Sequence, residues 1–184
     1  MLKKVLIGIV AILVVFAIVV ALQPSSFRVE RSVTIAAPPA KVFAQVNDFH
    51  AWTGWSPWEN RDPAMKRTYE GPAAGNGSIY KWSSDNNDVG TGMMTITDSR
   101  PNELIKINLE FKKPFEGNNT AEFSFKPAND STTVVWSMYG PNCFIAKAFG
   151  LFMNMDKMIG GEFDKGLANL KTQVENNKTK VSLK

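Results

Sequence analysis

The chain has 184 residues, 44% of them hydrophobic and 21% charged, with one cysteine, one histidine and a formal net charge of +4. A lone cysteine excludes an internal disulfide, and one histidine far from it in sequence excludes a His/Cys zinc site. The excess positive charge sits at the two ends, on Lys3 and Lys4 and on Lys171, Lys178, Lys180 and Lys184, so the body between them is slightly acidic and offers no basic patch for nucleic acid.

Residues 5–22 are uninterruptedly apolar. As a helix rising 1.5 Å per residue they reach roughly 27 Å, enough to cross a bilayer. The run is longer than a usual signal core and lacks a clear Ala-x-Ala site, which favours an uncleaved anchor. A cleaved secretory signal is the rival reading, with Val19-Val20-Ala21 as the place a peptidase would cut. Lys3, Lys4 and the terminal amine outweigh Arg28 and Arg31, the latter offset by Glu30, so the positive-inside rule puts the N-terminus in the cytoplasm. The rest then lies outside, in the periplasm if the host is Gram-negative. Residues 1–26 are thus an anchor with a short linker, 27–175 one domain, and 176–184 a basic, disordered tail.

Within the domain, Phe27, Val29, Val33 and Ile35 alternate with polar residues as a half-buried strand, with Arg31 the exception to the pattern. Pro38 and Pro39 open a helical segment to residue 48, where Val42, Phe43 and Val46 share a face. Three of the five tryptophans follow at once, Trp52, Trp55 and Trp58. Such a cluster marks a core corner or the wall of a ligand pocket. Short β segments come next, over 66–70, 78–83, 90–98, 102–111, 120–126 and 131–139, an antiparallel meander by spacing and turn signals. Gly90 and Gly92 hint at a bulge or a close approach. The last element is one helix over 146–174 with a stripe from Phe152, Met155, Ile159 and Phe163 to Val174. Gly160-Gly161 inside it reads as close packing in preference to a mobile lid. Met153, Met155 and Met158 are adaptable thioethers facing irregular apolar contents, or plain core filler.

The segments Trp52-Thr-Gly-Trp55-Ser-Pro-Trp58-Glu59, Tyr69-Glu-Gly-Pro72, Gly75-Asn-Gly77-Ser-Ile-Tyr80-Lys-Trp82, Thr133-Val-Val-Trp136 and Gly161-Glu-Phe163-Asp-Lys-Gly166-Leu-Ala-Asn-Leu170-Lys171 resemble the SRPBCC, or START-like, superfamily, and within it the membrane-anchored bacterial proteins of polyketide cyclase/dehydrase type. The resemblance runs from about residue 29 to 171. It implies an α+β helix-grip fold, a curved antiparallel sheet wrapped around a long C-terminal helix, with an apolar cavity between them. The residues expected to line that cavity are Trp55, Trp58, Tyr80, Trp82, Met94, Phe123, Trp136, Met138, Phe152, Met155 and Ile159, with Trp55 and Trp58 nearest its mouth.

A catalytic constellation is harder to assemble. His50 reads as a loop or helix-end histidine, Cys143 as buried and inert, and the Gly75/Gly77 and Gly90/Gly92 pairs lack the strand-to-helix context of a phosphate loop. Asp156 and Glu110 are the weak candidates for a cavity acid, with Glu59 a further option, each expected to be solvated or ion-paired. No metal and no cofactor are expected. A membrane-tethered domain that binds a lipid-like or aromatic molecule is the leading expectation. The alternatives are a cyclase or dehydratase acting on a polyketide-like substrate, and an envelope protein-interaction domain.

Overall fold

A computed structural model describes residues 1–182. Helix α1 (Leu2–Ala21) is long and apolar enough to cross a membrane, and nearly all its side chains are exposed. Strand β1 (Ser26–Ile35) follows, then α2 (Pro39–Asn47) and a short 3-10 helix (Phe49–Gly54). The meander is β2 (Lys66–Glu70), β3 (Ile79–Ser83), β4 (Thr91–Arg100), β5 (Leu104–Lys113), β6 (Gly117–Ala128) and β7 (Ser131–Pro141). Helices α3 (Phe144–Gly150) and α4 (Met155–Ser182) complete the order. All seven strands form one antiparallel sheet in the order β1-β7-β6-β5-β4-β3-β2, with α4 packed along β1 and against α2. This is the helix-grip architecture.

Local chemistry sets the elements. Pro38 and Pro39 supply the fixed φ that starts α2, whose Val42, Phe43 and Val46 are buried. Asp48 then caps the 3-10 helix by accepting the His50 N–H at 2.8 Å. In β4 the register shifts at Thr91/Gly92 and Ile96/Asp98, and the bare Cα of Gly92 is covered by the Trp82 ring, so the close approach expected there is present.

On α4, Phe163, Leu167, Leu170 and Val174 are buried at spacings of three and four. Each such side chain contributes roughly 1.5–3 kcal/mol by burial, so this stripe holds the helix on the sheet.

The single helix expected over 146–174 is two. α3 ends at Gly150, and α4 starts afresh after Asn154, whose Oδ1 accepts the Lys157 N–H at 2.9 Å as an N-cap. The break turns Phe152, Met153, Met155 and Met158 outward, so the methionines are neither core filler nor cavity lining. Cys143, expected to be buried, is exposed just before α3. At the other end α4 stays helical through Ser182, past the boundary read at 175; residues 183–184 of the expected tail lie outside the described residues.

Candidate functional site

Between sheet and α4 lies a block of stacked aromatic rings. Trp136 of β7 is sandwiched, with Phe163 of α4 on one face (centroids 4.1 Å apart, planes 9° from parallel) and Phe123 of β6 on the other (4.8 Å, 26°). Trp55 and Trp58 meet it edge-on, each at 5.7 Å. Gly166 lets α4 come this close, since a Cβ there would stand 2.8 Å from Trp136 Cζ3 and 3.0 Å from Pro57 Cδ.

The indole N–H groups are treated unequally. Trp52 Nε1 donates to the Val46 carbonyl (2.9 Å), Trp55 Nε1 to that of Gln45 (3.1 Å) and Trp82 Nε1 to that of Val89 (3.1 Å). Trp136 Nε1 is buried and has no hydrogen-bond partner among the described residues. A buried donor left unsatisfied costs about 1–3 kcal/mol.

Of the residues expected to line a cavity, Trp55, Tyr80, Trp82, Met94, Phe123, Trp136 and Met138 are buried in one continuous core, with Trp58 and Ile159 packed at its margin. Phe152 and Met155 stand apart on the outer surface. Trp55 is not at a mouth. It is 1% exposed at the centre of the cluster, and Trp58 is the more accessible of the two. The space between sheet and helix is taken by the chain's own rings. Two concavities of about 290 and 240 Å³ lie elsewhere, one on the outer face of β2–β4 beside Lys66, Lys81 and Lys112, the other between the 3-10 helix and β2 beside His50 and Tyr69; no α4 residue lines either.

The three candidate carboxylates, Asp156, Glu110 and Glu59, are all engaged. Asp156 accepts from Arg31 Nη2 at 2.8 Å and Nη1 at 3.0 Å, and that bonding holds it below its ordinary pKa. Arg31, the apparent exception in β1, points inward under α4 and reaches Asp164 as well. Glu110 sits opposite Met93 on the outer face of the sheet, taking a hydrogen bond from Asn108 at 2.8 Å, so it does not face the interior.

Glu59 is the buried one. Its Oε2 accepts from Arg67 Nε and its Oε1 from the Tyr80 hydroxyl, both at 2.7 Å. Burial, then the bond to Glu59, pushes the Tyr80 phenol far above its usual value. Neither Arg67 nor Phe163 was expected at the site, although the inward phase of Phe163 in the α4 stripe signalled the second. His50 is exposed, stacked on Tyr69 at 4.0 Å with Nδ1 on Asp48 at 2.9 Å. Among the described residues no cluster of metal-ligating side chains occurs.

The family described as polyketide cyclase / dehydrase and lipid transport matches residues 26–175. No curated protein sequence matches the chain. Among solved structures, protein SA2116 from Staphylococcus aureus is 13% identical with a TM-score of 0.63, covering 86% of this chain and 99% of its own. A Thermobifida fusca protein is 23% identical (TM-score 0.60; 81% and 93% covered), and protein CV1439 from Chromobacterium violaceum 15% (0.56; 83% and 99%). At these identities the likeness concerns the fold.

Proposed function

The chain belongs to the polyketide cyclase/dehydrase and lipid-transport family, and from that premise we propose that it is a membrane-tethered domain binding a lipid-like or aromatic molecule against the Trp136 stack. The observation that carries this reading is the unpartnered Trp136 Nε1, a directed donor set in an otherwise apolar wall. A hydrophobic ligand bearing one hydrogen-bond acceptor matches both features. Room for it is made by re-orienting Trp58 and Phe163, the rings at the accessible edge and on the helix, so that ligand and ring exchange places over Trp136. α1 stays in the membrane as the tether, its N-terminus cytoplasmic and the domain outside, which keeps the site beside a reservoir of apolar molecules. Binding without turnover is favoured because Asp156, Glu110 and Glu59 each hold another interaction.

Native mass spectrometry of the full chain released from membranes tests the reading. A bound hydrophobic molecule with an acceptor group is expected, and Trp136→Phe, which keeps a stacked ring and removes the donor, should weaken its binding about five- to tenfold. Only empty protein after exposure to membrane lipids and to aromatics would overturn it, and conversion of a bound polyketide-like substrate would establish the enzyme alternative instead.

A further inference from the structure

The surface around α3 has a composition that a water-facing surface does not. Phe144, Ile145, Phe149, Phe152, Met153 and Met158 are all exposed within fifteen residues of chain, Phe152 to 79%. From residue 144 to 155 the only charged side chain is Lys147. Single exposed apolar residues are ordinary, whereas a contiguous patch marks a surface that something covers.

The geometry of α1 says what covers it. The Phe16 ring packs on Phe152 with centroids 6.4 Å apart, Lys147 Nζ donates to the Ala21 carbonyl at 3.4 Å, and Val20 is the one buried side chain of α1. Phe16 lies five residues before the end of α1, roughly 7–8 Å back along the helix axis. A side chain beside Phe16 is therefore at apolar depth when α1 spans a bilayer, and a group beside Ala21 is at the level of the headgroups. We infer that α3 and the turn into α4 form a second membrane contact, lying in the interface of the bilayer that α1 crosses, with Phe149 and Phe152 in the acyl region and the Lys147 ammonium among the headgroups. Interfacial helices bury their apolar face about 5–10 Å, which matches this depth. Lys147 forms no ion pair among the described residues, and a cation so placed suits anionic lipid.

This inference rests on the reading of α1 as a retained tether, and the test separates the two. The full chain carrying Cys143→Ser takes a single nitroxide at Phe149→Cys, Phe152→Cys, Ile12→Cys or Asp130→Cys and is reconstituted in phosphatidylcholine/phosphatidylglycerol vesicles. Residue 130 lies in the β6–β7 turn, at the far end of β7 and about 35 Å from α3. Power saturation with oxygen and with a water-soluble nickel chelate reads the depth of each label. The labels at 149 and 152 should favour oxygen as the one at 12 does, and the label at 130 should favour nickel. Lipid exposure at 12 with aqueous exposure at 149 and 152 overturns the second contact and leaves the tether standing. Aqueous exposure at 12 overturns the tether and this inference together. Labels at 149 and 152 shielded from both reagents would mean that protein covers the patch, and would also overturn it.

Discussion

The Arg31 guanidinium occupies the space where a side chain on Gly160 would be. β1 sends this cation inward under the first turns of α4, where Asp156 and Asp164 pair with it, and only a bare Cα leaves room for the crossing. An inward arginine, a helical glycine and two helix carboxylates are thus one device that pins the start of α4 to the sheet.

Gly160→Ala should keep little or none of the roughly 1 kcal/mol that alanine returns in helix propensity, because its Cβ pushes the flexible end of Arg31 off Asp156 and Asp164. Gly161, with nothing within 4 Å of its would-be Cβ, is the control. Gly161→Ala should stabilise by up to about 1 kcal/mol. Urea unfolding of the two variants distinguishes them, and equal effects would refute the account.

Acid should loosen the same device. The Asp156 pKa is depressed by its bond to Arg31, so its contribution is complete above the ordinary aspartate value of 3.8 and is lost as pH falls through the lower folded value. Plotting Tm against pH for the wild type and Asp156→Asn should give curves that lie apart at neutral pH and converge in the acid limb. A constant gap down to the lowest pH would show that the pair does not titrate in this way.

Around Glu59 the expected effects are larger. Arg67→Met leaves a buried carboxylate without its cation and should cost about 3–5 kcal/mol. Tyr80→Phe removes one hydrogen bond to that carboxylate and should cost about 1.5–3 kcal/mol. Since the Tyr80 phenol is raised in the folded protein, its contribution is present below pH 10 and stability should decline above it as the unfolded phenol ionises. Tyrosine absorbance in alkali, followed with and without urea, should show Tyr80 titrating only when the chain unfolds.

Phe163→Ala should cost about 3–5 kcal/mol and leave Trp136 with an open face. Near-ultraviolet circular dichroism should lose part of its tryptophan signal, and a hydrophobic probe should gain affinity at the vacated ring if the stack is where ligands exchange.

The sheet was legible in the sequence because alternation is local: Lys66–Glu70 is found at the bounds read from the chain, and the β7 phase places Val134, Trp136 and Met138 together as expected. The helix end was less so. Phe152 and Met155 continue the apolar spacing of the α4 stripe, and only Gly150 and Asn154, a stop and a cap, tell that the helix is interrupted there. Arg31 was visible as an anomaly, yet its meaning depended on Gly160 nearly 130 residues away, a pairing that periodicity cannot announce. Trp55 went to the core because its N–H found a backbone carbonyl at Gln45, a partner that no spacing rule predicts.

The pairing of Ser26 with Pro141 fixes more than one edge of the sheet. It brings the chain leaving α1 and the chain entering α3 to the same corner, and Asn142 fastens that corner by donating to the carbonyls of Ser25 at 2.8 Å and Pro24 at 3.2 Å. The four residues between α1 and β1 then act as a stiff collar, so the attitude of the domain toward whatever surrounds α1 is written into a strand register. Lengthening that collar would leave the fold whole and leave the contacts of α3 and the turn into α4 alone to hold the domain against α1.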